Sequence, residues 1–268
     1  MYHMFHRLIL GTVILLLPMA LLSSTAAGAG NRALKSLTGS DAGQVRALPP
    51  EPGPAAPYGA NPNFVGDATE LPSGKGVRRV ANVRWDCAGD KNCNWDTARI
   101  KPSGVREVYW GQTDSTFGHT FLVFRMAPGS FGSERRDAPC SQYLVASFES
   151  TKRGGAVILG EIWIFSTWEA YKQYKSAIGE KLSLYRFASG VDNTAVLNAA
   201  LNKTREDRTG GHFNLLRNNC NLNALAVLRR GVPAGWGMEG TSPHGTTRDL
   251  LGRGIIYGPV SPGTSFCR

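Results

Sequence analysis

The stretch Gly118-His-Thr-Phe-Leu-Val-Phe-Arg-Met126 reads as a strand buried on most of its length. His119, Phe121, Val123 and Arg125 fall on one face, and Thr120, Leu122, Phe124 and Met126 on the other. Similar segments surround it. Val105-Arg-Glu-Val-Tyr-Trp110 precedes it; Tyr143-Leu-Val-Ala-Ser-Phe-Glu149, Ala156-Val-Ile-Leu-Gly-Glu-Ile-Trp-Ile-Phe165 and Lys181-Leu-Ser-Leu-Tyr-Arg-Phe187 follow. In Tyr143–Glu149 one face carries Tyr143, Val145, Ser147 and Glu149. Ser166-Thr-Trp-Glu169 has capping-box spacing and predicts a short helix. Asp192 is a predicted N-cap for a helix from about Asn193 to Arg205, with Val196, Leu197, Ala200 and Leu201 as its apolar stripe. A last helix is predicted from Asn219 or Cys220 to Arg230, stopped by Gly231 and Pro233. Strands followed by helices define an α+β domain, expected as an antiparallel sheet with packed helices.

The chain has 268 residues, 42% hydrophobic and 19% charged. That suits one domain with an appendage and excludes a wholly disordered chain. Leu8–Leu22 is uncharged, follows Arg7 and leads to small residues ending Ala27-Gly-Ala29. Residues 1–29 are therefore expected to be a signal peptide; the other reading is a retained N-terminal anchor. No other stretch is long and apolar enough to enter a bilayer, which excludes a polytopic membrane protein. Residues 30–77, with Ala47-Leu-Pro-Pro-Glu-Pro-Gly-Pro-Ala-Ala-Pro57, are expected to be a Pro/Gly-rich linker, leaving 78–268 as the catalytic domain.

Formal net charge is +10, and removal of the leader lowers it only to +9. A basic exported protein fits the anionic surfaces of the envelope, whether phospholipid headgroups, cell-wall polymers or outer-leaflet glycolipid; anionic phospholipid or lipoprotein, at a membrane surface, is the expected partner. Nucleic acid is not expected, because export and the absence of dense basic runs with interleaved aromatics both oppose it. The sequence is silent on oligomeric state.

Five cysteines remain after export, in a compartment that favours pairing. Cys87 and Cys93 flank a polar segment in Trp85-Asp-Cys-Ala-Gly-Asp-Lys-Asn-Cys-Asn-Trp95, expected to be a loop closed by its own disulfide. Cys140 and Cys267 form the second expected pair, which leaves Cys220 as the odd thiol. No zinc or other metal is expected, since Cys-x5-Cys lacks ligand spacing and no His follows at a finger-like distance. No cofactor is expected either.

Cys220 lies in Phe213-Asn-Leu-Leu-Arg-Asn-Asn-Cys-Asn-Leu-Asn223, in the first turn of the predicted helix. Unpaired N–H groups and the positive end of the macrodipole there favour thiolate and can hold a developing oxyanion. A thiolate nucleophile needs a base that returns a proton to the leaving group, and His119, on a strand, is the candidate. Glu149 is the expected third group orienting the imidazole, with Ser147 as the alternative; Asn218 and Asn219 are candidate oxyanion or substrate donors. Two other histidines compete. His212 reads as a packing or rim residue, and His244, in Ser242-Pro-His-Gly245, as part of a solvated loop able to edge a cleft.

The order of a His-bearing strand, an acid-bearing strand and Asn-Asn-Cys at a helix start resembles the circularly permuted papain-like fold of NlpC-type and lecithin-retinol-acyltransferase-like enzymes. More narrowly, Gly118–Phe124, Tyr143–Glu149, Leu184-Tyr-Arg186 and Phe213–Cys220 resemble the periplasmic domain of Lnb-type lipoprotein N-acyltransferases, over roughly residues 105–230. Asn221 stands where that family usually has Thr after the Cys. The resemblance implies a nucleophile at Cys220, a base at His119 and an acid at Glu149. It implies a cysteine-dependent acyltransferase or acyl hydrolase working through a thioester on lipid or lipoprotein. A cell-wall peptide amidase or endopeptidase of the NlpC type is the alternative, and a non-catalytic envelope binding module is a further one.

Overall fold

A computed structural model describes residues 68–88, 92–152, 159–206, 213–214 and 216–263. The expected signal peptide and most of the expected linker lie outside the described residues. Strands β1 (Thr69–Leu71), β2 (Arg78–Ala88), β3 (Asn92–Ile100), β4 (Val105–Thr113), β5 (His119–Met126), β6 (Phe131–Ser133), β7 (Tyr143–Lys152) and β8 (Leu159–Thr167) come first. Helix α1 (Trp168–Ala177), β9 (Leu182–Phe187), α2 (Asn193–Asn202), α3 (Cys220–Leu228), α4 (Pro243–Gly252) and β10 (Ile256–Val260) follow.

The strands form one sheet in the order β10-β9-β4-β5-β7-β8-β2-β3-β6, with β1 on β2. The class is α+β as expected, but the sheet is mixed rather than antiparallel, because β2 and β8 pair in parallel through Val83↔Phe165 and Arg84↔Ser166. Local alternation identifies a strand and says nothing of a partner far away in the chain. β1 falls inside the expected linker: Thr69–Leu71 pairs with Ala81–Arg79, so the domain starts before residue 78. Three residues are too few to show a period.

Side chains alternate to two sides of the sheet, and helices cover both. Phe121 and Val123 of β5, with Val145 of β7 and Ile162 and Ile164 of β8, pack against Trp168 and Tyr171 of α1. Leu122, Phe124, Leu144, Ala146 and Phe148 join Leu197 and Leu201 of α2, Leu225 and Leu228 of α3, and Leu250 of α4. Burial on both faces explains why β5 reads as a nearly continuous apolar run.

Helix starts follow local chemistry. Asp192 caps α2 as predicted, accepting from Ala195 N–H at 2.9 Å. Thr167, rather than Ser166, caps α1, accepting from Ala170 N–H at 3.1 Å. Helix α4 begins where Ser242–Gly245 is expected to be a loop. Ser242 caps it, accepting from Gly245 N–H at 3.1 Å, and Pro243 occupies its first turn. That Ser-Pro start is a helix signal, since proline lacks only an N–H that would be unpaired there. The Cys87–Cys93 disulfide forms as expected. It joins directly opposed residues of the β2–β3 pair rather than closing an irregular loop. Cys140 is also disulfide-bonded, and Cys267, its expected partner, lies outside the described residues.

Candidate active site

Cys220 is the first residue of α3 because Asn219 caps the helix, its side-chain oxygen accepting from Leu222 N–H at 2.9 Å. The other end of that amide donates to Thr241 C=O at 3.0 Å. Asn218 Oδ1 accepts from Asn223 Nδ2 at 3.0 Å. The side chains expected to serve substrate or oxyanion are thus engaged in the scaffold, while Asn219 also lines the cleft that holds Cys220 and His119. Asn before a helix is a capping residue first. Asn221, fully buried, ties the helix start to its surroundings. It donates to Gly240 C=O and Thr246 Oγ1, each at 2.8 Å, and accepts from Thr120 Oγ1 at 3.2 Å. Thr120 follows His119 on β5, so this bond locks the sulfur-bearing helix to the imidazole-bearing strand.

Cys220 is the free cysteine among the described residues and is buried. The backbone N–H groups of Thr120 and Asn221 point at its sulfur. Burial nevertheless pushes the Cys220 thiol up, against those two N–H groups and the Lys175 cation. The expected resting thiolate is therefore corrected to a thiol. A helix start favours the anion, but the packing that surrounds this one disfavours any charge.

His119 Nε2 lies 2.7 Å from Ser147 Oγ. Ser147 Oγ donates to Glu149 Oε1 at 3.3 Å, and Glu149 Oε1 is 3.8 Å from His119 Nε2. The strand register makes this arrangement: Phe121 opposes Ser147 across β5–β7, which brings His119 level with the far end of the same face. Both candidates for the third group are engaged, Ser147 directly and Glu149 behind it. Direction follows from the inventory of donors. A carboxylate only accepts, so the Ser147 hydroxyl donates to it and its oxygen accepts from His119 Nε2–H. The proton is thereby held on Nε2, which leaves Nδ1 as the ring nitrogen without a proton.

A buried ion network backs this chain. Lys175 Nζ lies 3.9 Å from Glu149 Oε1 and 3.3 Å from Glu180 Oε2. Arg84, fully buried, stacks its guanidinium 4.0 Å from the centre of the Tyr174 ring. Burial works against the Glu149 carboxylate, but Lys175, Arg84 and then His119 outweigh it and hold its pKa low. Burial and then Lys175 push the His119 imidazole down to about 3, with Glu149 pulling the other way. At neutral pH the cleft therefore holds a neutral thiol and a neutral imidazole. Lys175, Arg84 and Asn221 had no expected role. Lys175 carries the one legible signal, a cation one turn after Tyr171 and next to Tyr174 on the buried side of α1.

His119, Glu149, Lys175, Glu180, Asn219 and Cys220 contribute to the polar wall of a cavity of about 510 Å³. Phe117, Phe213, Leu216 and Pro243 contribute apolar surface. His244 is not in a solvated loop: it sits in the first turn of α4, with Nδ1 against the Gln112 amide and Nε2 3.0 Å from Ser115 C=O. It braces the turn before β5. Gly118 is required there, since its φ is 67° and a Cβ would lie 3.0 Å from His244 Nε2. His212 lies outside the described residues. Among the described residues no cluster of His, Cys, Asp or Glu is placed to hold a metal ion.

No curated protein and no solved structure matches the chain. Residues 91–253 match the family described as the Lnb N-terminal periplasmic domain, a span that holds every group of the cavity's polar wall. A periplasmic family agrees with the export expected from the N-terminus. No helix among the described residues is long and apolar enough to cross a membrane. With the match covering more than half of its residues, the chain belongs to the Lnb N-terminal periplasmic domain family.

Proposed function

We propose that this protein is a cell-envelope cysteine acyltransferase or acyl hydrolase that carries an acyl group on Cys220 Sγ, taken from a lipid or lipoprotein. The observation that carries the reading is a thiol at a helix start, sharing a cleft with an imidazole whose Nε2 is held by Ser147, itself bonded to Glu149. The chain order of base, orienting acid and nucleophile is that of permuted papain-like enzymes, and that fold is part of the proposal.

Chemistry starts from the neutral pair. As Sγ attacks the acyl carbonyl carbon, its proton passes to His119 Nδ1. The ester C–O bond then breaks, the departing alkoxide takes that proton, and a thioester remains. An amine or water enters by the same route: it gives its proton to Nδ1 and bonds to the acyl carbon, the C–S bond breaks, and the sulfur recovers the proton. Proton transfer of this kind contributes roughly 10²–10⁴ in rate. The first-turn N–H of Cys220, which has no intrahelical acceptor, supports the oxyanion of each tetrahedral intermediate.

The apolar side of the cavity favours an acyl chain over a cell-wall peptide. Incubation with phospholipid, and separately with peptidoglycan peptides, tests this. Lysophospholipid released by the intact chain and not by Cys220→Ser supports the proposal. Peptide fragments without lysophospholipid place the protein with the NlpC-type amidases, and no product from either leaves a binding module.

A further inference from the structure

The two most exposed large apolar side chains among the described residues are Phe117 and Leu216, each 74% exposed. They come from segments far apart in sequence, yet both line the cleft that holds Cys220 and His119. Each stands on a hydrogen-bonded turn. Gly118 N–H donates to Ser115 C=O at 2.7 Å, and His244 Nε2 meets the same carbonyl at 3.0 Å, which fixes the turn carrying Phe117. Asn214 Oδ1 accepts from Leu216 N–H at 2.9 Å and Arg217 N–H at 3.1 Å, which fixes the other. Asn214 and Asn218 also exchange backbone bonds at 2.8 and 3.0 Å across the base of that turn. The fold thus holds two apolar tips in water at one opening, where neither adds to its core. Beside Leu216 stands Arg217, exposed and basic, on a chain of net charge +10.

We infer that Phe117 and Leu216 are a membrane-docking rim that enters the acyl region of an anionic bilayer while Arg217 meets its headgroups, so that the cleft opens onto lipid. The inference rests on the lipid reading of the cleft. Apolar tips gain by leaving water, and nearby positive charge selects an anionic surface. Docked in this way, the cleft mouth meets an acyl ester at the depth where lipids carry it.

The test uses the full chain with Cys220→Ser, so that no thiol chemistry intervenes. Phe117→Cys, Leu216→Cys and Arg230→Cys are made singly in this background and labelled with an environment-sensitive fluorophore. Arg230 is exposed and lies beyond the opposite end of α3 from Cys220. On phosphatidylglycerol vesicles the probes at 117 and 216 should shift to the blue and be quenched by nitroxide on the acyl chains. The probe at 230 should not. Without labels, Phe117→Ser and Leu216→Ser should each weaken vesicle partitioning about tenfold. Pure phosphatidylcholine vesicles should give weaker insertion at both positions.

Probes at 117 and 216 as solvent-exposed as that at 230 overturn the inference. Equal insertion into both vesicle types overturns the anionic occupant. Probes that shift with a diacylated peptide and not with vesicles overturn it in favour of a protein partner. Failure here is separable from failure of the proposed chemistry: an acyl-enzyme on soluble substrate with an unshielded rim removes the docking alone, and an inserted rim without acyl transfer removes the chemistry alone.

Discussion

Ser147→Ala is the substitution whose effect follows most directly from the geometry. Ser147 is 1% exposed and touches both partners, at 2.7 Å to His119 Nε2 and 3.3 Å to Glu149 Oε1. Without its oxygen, the nearest carboxylate atom is 3.8 Å from Nε2, beyond hydrogen-bond range. A buried donor left without its acceptor costs about 1–3 kcal/mol. The same energy no longer orients the ring with its proton on Nε2. Loss of this size at the transition state lowers kcat/KM roughly 10- to 100-fold. The assay is lysophospholipid release, alongside the ¹⁵N chemical shifts of the His119 ring, which distinguish its tautomers. The wild-type ring should show a protonated Nε2 and a bare Nδ1, and the variant a mixture. A variant with wild-type turnover and an unchanged single tautomer would refute the role given to Ser147.

Three further outcomes follow from the same network. Lys175→Met removes a cation that lowers the pKa of both His119 and Glu149, so both rise, and the acidic limb of the kcat/KM profile moves to higher pH. His119 has a folded pKa of about 3, depressed from 6.5, so the unfolded chain binds a proton between those values that the folded chain refuses. The stability this group contributes is present above about pH 6.5 and is lost as pH falls toward 3; His119→Gln should therefore show a smaller drop in Tm between pH 7 and pH 4.5. Asn221→Ala removes the buried amide that ties α3 to β5 and α4, and denaturant unfolding should show a loss of about 2–3 kcal/mol. Cys220→Ser should lose less stability than that, since it removes no such tie.

Much of the layout is legible in the sequence because burial writes a period into it. β5 and β7 alternate, α2 repeats Val196, Leu197, Ala200 and Leu201 at helical spacing, and all four are buried as expected. β1 and β6 are only three residues each, too short to carry a period. The parallel β2–β8 pairing joins strands with five others between them in the chain. At the candidate site, Cys220 and His119 are legible from residue type and place in an element, and the structure brings both to one cleft. What fails is whatever depends on packing. Asn218 and Asn219 read as free amides until the helix claims them. A cysteine at a helix start reads as thiolate until its burial is known. Lys175 and Arg84 gain their roles only where α1 packs on β2, a contact between distant parts of the chain. Ser147 and Glu149 share a strand face, and only the geometry shows that Ser147 stands nearer the ring.

The proposed chemistry requires covalent capture of an acyl group by one sulfur. Brief incubation of the full chain with phospholipid, acid quench and peptide mass spectrometry measures this directly. The expected result is an acyl-mass increment on the peptide containing Cys220, removed by neutral hydroxylamine and missing in His119→Ala. Unmodified Cys220 in a folded chain that nonetheless releases lysophospholipid, or an acyl group found on another residue, would contradict it.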